Sequence, residues 1–224
     1  MAQEQDSPQV PRTAKMILIP KAFERVADVA SKDENRSALC GVHVKATDAG
    51  VIIEATDGAR MIRATVPTPF KPEDFPTIAG FDANANGAQE AIIPLDAWKK
   101  AFKAVPKPKY RPILGCLALT MEQAQVTFAS TDLQSASITP VKPVDGNYPN
   151  IDQVMPKDEP TFAIAFDANI LADTLKALAA LADDGHKPMV RFEFHGSEKA
   201  TKVVVSHSKE SAQVEALVMP MRDK

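Results

Sequence analysis

The sequence predicts an α+β fold built from three βαβββ modules. One order of elements occurs three times, landmark residues repeat at a nearly constant spacing, and each copy ends on a proline: Pro67, Pro140 and Pro220. Pro20 and Pro94 lie 74 residues apart, and the Thr-Asp pairs at 56–57 and 131–132 lie 75 apart. We therefore divide the chain into a tail (1–15), module 1 (16–67), a long loop (68–89), module 2 (90–143), a connector (144–160) and module 3 (161–224).

Module 1 sets the order of elements. The polar residues 1–15 have almost nothing to bury, so we expect a disordered tail. The apolar run 16–19 predicts a strand, Pro20 suits a first helical turn, and an apolar helical stripe follows it. Three more apolar runs, separated by turn signals, predict three strands that begin at Leu39, Val51 and Arg60.

Modules 2 and 3 repeat this order. In module 2, a strand at 91–93 precedes a helix with Trp98 and Phe102 on its apolar face, and three strands follow. In module 3, a strand at 162–166 precedes a helix with a leucine stripe, and three strands follow. One βαβββ unit cannot cover both faces of its sheet, so copies must pair. An odd number leaves one module that needs a partner, and another chain is the obvious source.

Composition excludes several classes of protein. The 224 residues, 45% hydrophobic and 25% charged, are typical of a globular chain. No apolar run approaches the roughly 18 residues of a membrane helix, and the polar start does not resemble a signal peptide. We therefore expect a cytoplasmic protein. Cys40 and Cys116 lie in apolar runs, which favours two buried free thiols over a disulfide or a zinc site.

Positive charge is concentrated on two of the three helices. At 100° per residue, Lys21, Arg25 and Lys32 lie within about 40° of each other, opposite the apolar stripe. The second helix and its exit carry six basic residues against the single acid Asp96: Lys99, Lys100, Lys103, Lys107, Lys109 and Arg111. Lysines on one helix usually form a solvated face, but two such helices in one repeat favour a polyanion contacted through its phosphates.

The sequence does not predict a catalytic site. The four histidines are scattered without metal-ligand spacing, and the chain has no Gly-rich phosphate loop and no GxSxG motif. Asp57-Gly58 lies between two predicted strands, where a tight turn is the better interpretation than a carboxylate site. We expect no catalytic residue, no metal and no cofactor.

Three segments resemble the bacterial DNA polymerase III beta subunit, the sliding clamp. They are EATDGARMIRATV (54–66), VDGNYPNIDQVMPK (144–157) and ALVMPMR (216–222), in the family's order. The resemblance implies a DNA-clamp fold, with antiparallel sheets outside and helices lining a hole that encircles duplex DNA. The family has six modules per chain and twelve per ring. This chain resembles the middle domain plus the last half of the final domain, and four such chains also supply twelve modules, which predicts a homotetrameric ring.

The resemblance also implies two sets of site residues. Basic residues would line the hole and contact DNA: Lys21, Arg25, Lys32, Lys99, Lys100, Lys103, Lys107 and Lys109. A hydrophobic pocket would bind a short peptide, containing Gln and apolar residues, from a polymerase, clamp loader or repair protein. Its walls would be Leu39, Thr56, Gly58, Arg60, Met61, Pro149, Val154, Leu217, Val218, Met219, Pro220, Met221 and Arg222. Ala59 stands where the family usually has histidine.

The sequence therefore predicts a sliding clamp, a DNA replication processivity factor without chemistry of its own. The alternative is an adaptor or decoy that keeps the pocket but forms no ring, and that binds clamp partners or a full-length clamp. An enzyme built on the scaffold is a third possibility, which the missing acids, bases and nucleophiles disfavour.

Overall fold

The computed structural model describes residues 16–47, 50–67, 70–85, 87–107 and 111–222. The described chain forms two units, an N-terminal unit that ends at Ile151 and a C-terminal unit that begins at Asp152. The predicted tail (1–15), Lys109 and part of the 68–89 loop lie outside the described residues.

The N-terminal unit contains eight strands in two antiparallel sheets. In chain order they are β1 (Ile17–Pro20), β2 (Gly41–Thr47), β3 (Gly50–Thr56), β4 (Met61–Pro67), β5 (Glu90–Pro94), β6 (Cys116–Met121), β7 (Val126–Thr131) and β8 (Ala136–Val141). One sheet has the order β1-β6-β7-β8 and the other β4-β3-β2-β5. Each strand lies within three residues of a predicted one, so the predicted strands of modules 1 and 2 are confirmed.

The two modules of this unit exchange their first strands. In one sheet β1 pairs with β6, with Ile19 opposite Leu117, and in the other β5 pairs with β2, with Ile93 opposite Val42. Each sheet thus combines three consecutive strands of one module with the first strand of the other. Neither sheet is complete without both modules.

A helix follows each of these first strands, and the two helices pack against each other. The first is a 3₁₀ helix, Lys21–Val29, and the second is α1 (Leu95–Lys103). The indole Nε1 of Trp98 donates a hydrogen bond to the Glu24 carbonyl at 3.1 Å. The main core fills the space between the helices and the two sheets, and its largest fully buried side chains include Trp98, Phe102 and Phe128.

Chain segments outside the modules cover the outer faces of both sheets. Phe75 and Ile78, from the loop between modules 1 and 2, are buried in a second core with Leu18, Cys116 and Ala118. Successive side chains of a strand point to opposite faces of its sheet, so the residues of this second core alternate along the strands with residues of the main core. The described part of this loop is therefore a structural cover for one sheet. The connector covers the other sheet in the same way, since Tyr148 stacks on His43 of β2.

The cysteines differ from each other in burial. Cys116 is buried, as expected, and burial raises the pKa of its thiol to about 11. The prediction of a buried thiol is wrong for Cys40, which is half-exposed at the end of a 3₁₀ segment (Glu34–Cys40) and donates from Sγ to the Asp33 carbonyl at 3.0 Å.

Replacing Phe102 with alanine is expected to lower the free energy of unfolding of the N-terminal unit by about 3–5 kcal/mol, because a fully buried ring leaves a cavity in the main core. Trp98 is the single tryptophan of the chain and lies 4.8 Å from Phe102 between ring centroids, so its fluorescence reports unfolding of this unit. Urea titration measures the change. Leu133→Ala, at an exposed turn, is the control and should shift the midpoint little.

The C-terminal unit is a smaller assembly of one helix and one sheet. It contains α2 (Ala168–Ala180), β9 (Val190–Glu193), β10 (Thr201–Val205) and β11 (Glu215–Val218), in the sheet order β11-β10-β9. Asp167 caps α2, since its Oδ1 accepts hydrogen bonds from the amides of Asn169 (2.8 Å) and Ile170 (3.0 Å). Its core is small, comprising Leu178, Ala182, Val203, Val205 and Val218.

The strand predicted at 162–166 is not formed. A single bridge remains there, in which the Met221 amide donates to the Ala165 carbonyl at 2.8 Å. In the N-terminal unit the first strand of each module pairs with the other module's sheet. The described residues of the C-terminal unit provide only one module, so this segment has no such sheet to join.

Candidate functional site

Helix α1 presents a continuous basic surface to solvent. Trp98, Ala101 and Phe102 face the core, and the lysines of the helix and its exit are exposed: Lys99, Lys100, Lys103 and Lys107. Among the residues that the structure describes, no carboxylate lies within 4.0 Å of their ammonium groups. These charges are therefore available to contact a polyanion. Lys99, Lys100 and Lys103 lie on α1 itself, and Lys107 follows it.

The predicted basic face of the first helix is not formed. A 3₁₀ helix turns 120° per residue, which separates Lys21 from Arg25 by about 120°. The Lys21 ammonium donates to the Val105 carbonyl and ties the first helix to the exit of α1. Arg25 is exposed and pairs with Asp28 at 3.2 Å, and Lys32 lies beyond the helix end. Of the three residues, Arg25 and Lys32 keep exposed side-chain charges.

The Thr-Asp turn between β3 and β4 is a tightly hydrogen-bonded loop. Thr56 Oγ1 donates to the Arg60 carbonyl at 2.7 Å and accepts from the Gly58 amide at 3.0 Å. Asp57 accepts from the amides of Ala59 and Arg60, and these bonds, that of Ala59 foremost, lower the pKa of its carboxyl. The carboxylate is used within the turn, which supports the structural interpretation of Asp57-Gly58.

The same turn occurs in module 2. Thr131 Oγ1 donates to the Ser135 carbonyl at 2.7 Å, and Asp132 Oδ1 accepts from the amides of Gln134 and Ser135. Leu133 has φ 76° where Gly58 has φ 92°. The two turns therefore match in their hydrogen bonds as well as in their sequence.

Gly58→Ala is expected to destabilise the first turn by about 1–3 kcal/mol, because its positive φ strains an alanine. The added Cβ would also lie 2.4 Å from Arg36 Nη2, and Arg36 holds the turn through Nη1, which donates to the Asp57 carbonyl at 2.9 Å. Urea unfolding followed by Trp98 fluorescence measures the loss. Gly87→Ala is the control, since its nearest neighbours would lie 3.9 Å away, and an equal loss in both variants would contradict the argument.

A buried polar network fixes the connector to the outer face of the sheet. Glu54 is buried and accepts from His43 Nδ1 at 3.0 Å, and the Arg63 guanidinium pairs with the same carboxylate. The Tyr148 ring stacks on His43 with centroids 4.7 Å apart, and the Val144 amide donates to the Ile92 carbonyl at 2.8 Å. Burial, and then the charge of Glu54, raise the pKa of the Tyr148 hydroxyl. Pro149 is held next to this anchored tyrosine.

Sequence reasoning missed this network. His43 and Glu54 lie between buried apolar residues on β2 and β3, and Arg63 lies on the adjacent β4, which together are a signal for a polar outer face. Their contact depends on the strand register, in which His43 lies opposite Glu54 and Glu54 opposite Arg63. Arg36, which anchors the turn, carried no sequence signal.

The predicted pocket walls are divided between the two units. In the N-terminal unit Leu39 and Thr56 are buried, Met61 is half-buried, and the remaining wall residues are exposed: Gly58, Arg60 and Pro149. The segments that carry them adjoin, since Arg36 joins the 3₁₀ segment of Leu39 to the turn. In the C-terminal unit Val154 is exposed and Val218 is buried in the core, which leaves the side chains of Leu217 and Met219–Arg222 for a ligand.

An open groove of about 700 Å³ lies within the C-terminal unit. Four predicted wall residues contribute to its lining: Met219, Pro220, Met221 and Arg222. The rest of the lining comes from two segments that the sequence did not indicate: Ala163, Ile164 and Ala165, and Ser197 with Glu198. The bridge between Ala165 and Met221 joins two sides of the groove. Leu217, Met219 and Met221 are each more than half exposed, so flexible apolar side chains are available for an apolar ligand.

The described residues contain no group of three or more His, Cys, Asp or Glu side chains placed to hold a metal ion. None of the helices in the described ranges is long and apolar enough to span a membrane.

Comparison with solved structures identifies the fold. The sequence matches no family model and no curated protein. The structure is similar to the DNA polymerase sliding clamp of Bacillus subtilis (TM-score 0.70, 18% identity, 96% of this chain and 52% of the clamp). It is also similar to the DNA polymerase III subunit beta of Pseudomonas aeruginosa (TM-score 0.69, 16% identity, 96% and 53%). For the beta subunit of Streptococcus pyogenes the TM-score is 0.67 at 15% identity, over 97% and 53%.

These matches confirm the predicted resemblance at the level of the fold. The chain has an α+β sliding-clamp fold and spans about half the length of the clamps it matches.

Proposed function

We propose that this protein is a sliding clamp, a processivity factor that encircles duplex DNA and has no chemistry of its own. The observation that carries the proposal is the exposed, unpaired lysine surface of α1 on the helix side of a sliding-clamp fold. The exposed lysines lie on α1 and its exit, whereas the loop between modules 1 and 2 and the connector cover the outer faces of the sheets. A passive ring around a polyanion requires this separation.

The basic surface suits binding without base recognition. Lysine is a flexible point charge, and four lysines along one helix and its exit can follow a phosphate backbone. The contacts would be formed by Lys99, Lys100, Lys103 and Lys107, with Arg25 and Lys32 as further contributors. Such contacts allow sliding because they are similar at every position along the duplex.

The groove of the C-terminal unit is the proposed binding site for a partner peptide. Its methionines offer an adaptable apolar surface, while Arg222 and Glu198 supply charged groups at its sides. We propose that a short peptide with Gln and apolar residues, carried by a polymerase or a clamp loader, binds here.

Ring closure requires self-association, and we propose a homotetramer. Four chains of 24.2 kDa give about 97 kDa, with twelve modules in the ring. Light scattering at several concentrations should find this mass. A mass of one or two chains with preserved peptide binding would contradict the ring and favour the adaptor or decoy.

The decisive experiment separates encirclement from ordinary DNA binding. The chain is mixed with circular plasmid at a concentration low enough to dissociate it, is then concentrated, and is washed at high salt to disrupt electrostatic contacts. A closed ring is expected to stay on circular DNA and to be released when a restriction enzyme linearises the plasmid. If the chain has a tetrameric mass and high salt still releases it from both circular and linearised plasmid, the proposal is overturned.

A further inference from the structure

We propose that the C-terminal unit completes itself by exchanging residues 162–166 with the same unit of a second copy. The segment of each copy would pair with the open edge of β9 in the other, around a two-fold axis. The inference is drawn from the strand pairing inside the N-terminal unit. It rests on the proposed function in one respect only: the exchange would form one of the interfaces that the ring requires.

The N-terminal unit is the template for this exchange. There β1 pairs with the edge of β6, and β5 pairs with the edge of β2. The first strand of each module therefore pairs with the first of the three consecutive strands of the other module, which we call the first meander strand. In the C-terminal unit β9 is that first meander strand, and among the described strands it pairs only with β10. An open edge of this kind is a template for another strand.

The spacing of residues predicts the register. In the N-terminal unit the residue before the helix, Pro94 or Pro20, lies opposite Gly41 or Cys116. Within one module, the residue before the helix and the first residue of the next strand are 21 residues apart in module 1 (Pro20 to Gly41) and 22 apart in module 2 (Pro94 to Cys116). Asp167 holds the same position before α2, so its counterpart at a spacing of 22 is Met189.

This register also matches the faces of the strands. It places Phe166 opposite Val190 and Ile164 opposite Phe192 of the other copy. Phe166, Val190 and Phe192 all pack against the core of the C-terminal unit, as Ile19 and Leu117 do in the main core. The outward pair is then Ala165 and Arg191, at the positions of Leu18 and Ala118 in the template.

The apolar side chains that exchange would cover are exposed in the single unit. Only Leu178 of the thirteen residues in α2 is buried, whereas α1 buries three of its nine against the other module. The exposed side chains include Phe162, Ile170 and Leu181. In the N-terminal unit, the equivalent surfaces are covered by a second module and its helix. We therefore infer that a second copy of the same module covers the exposed apolar surface of the C-terminal unit.

Disulfide trapping in the full chain tests the exchange. Ala165→Cys and Arg191→Cys are placed separately in two chains with different tags, and the chains are co-expressed and oxidised. Cross-strand neighbours lie within disulfide reach, so a covalent heterodimer is expected at about tenfold or more above the dimer formed by either single variant alone. Both chains carry Cys40→Ser, and Cys116 can stay because it is buried with a raised pKa.

A second variant measures the assembly without a cross-link. Phe162→Asp places a charge on a side chain that is 48% exposed, and it should halve the solution mass, whereas Leu133→Asp, at 53% exposure in the N-terminal unit, should leave the mass unchanged. No heterodimer above the single-variant background, or an unchanged mass for Phe162→Asp, would overturn the exchange. A trapped pair that fails to stay on circular DNA would refute the clamp function and leave the exchange intact.

Discussion

Reversing the charge of Lys99, Lys100 and Lys103 to glutamate is expected to weaken the affinity for a linear duplex by more than about 100-fold at roughly 0.1 M salt. The three ammonium groups are exposed and have no described carboxylate partner, so their charge is available to phosphates. The slope of log affinity against log salt should fall by about three for each chain that contacts the duplex, one for each lost phosphate contact. Titrations of a labelled duplex at several salt concentrations measure both effects.

The control for this experiment changes the total charge by the same amount. Lys71, Lys187 and Lys199 are exposed and belong to segments other than α1 and its exit, so their reversal to glutamate alters net charge equally. Affinity and salt slope should change little in this control. Equal losses in the two triple variants would mean that total charge, and not the surface of α1, decides DNA binding.

Replacing Met219 and Met221 with aspartate is expected to weaken peptide binding by about 100-fold or more, because two charges enter an apolar groove and its two flexible contacts are lost. Both side chains are more than half exposed, so the fold should tolerate the change. Fluorescence anisotropy with a labelled peptide containing Gln and apolar residues measures the affinity.

Two controls accompany the groove variant. Leu133→Asp makes the same kind of change at an exposed turn and should bind the peptide normally. Light scattering should show an unchanged mass for the groove variant. Unaltered peptide affinity in the Met219 and Met221 variant would show that the peptide binds elsewhere.

Local signals in the sequence predicted much of the fold. The spacing of the Thr-Asp pairs predicted a true repeat, and Thr56 and Thr131 make corresponding hydrogen bonds in the structure. The exposed lysines of α1 follow from the helical period that buries Trp98 and Phe102. The candidate peptide groove was predicted only in part, since Met219 and Met221 came from the resemblance while Ala163 and Ser197 joined the lining through tertiary packing.

The sequence by itself determined the α+β class, the three-fold repetition and the strand positions of modules 1 and 2, because strand and helix periods and turn residues act over a few neighbouring residues. Only the tertiary structure decided that β1 and β5 change sheets, that the helix at Lys21–Val29 winds as a 3₁₀ helix, and that residues 162–166 stay outside a sheet. The partner of a strand edge is chosen by backbone groups distant in sequence, and no local pattern records that choice.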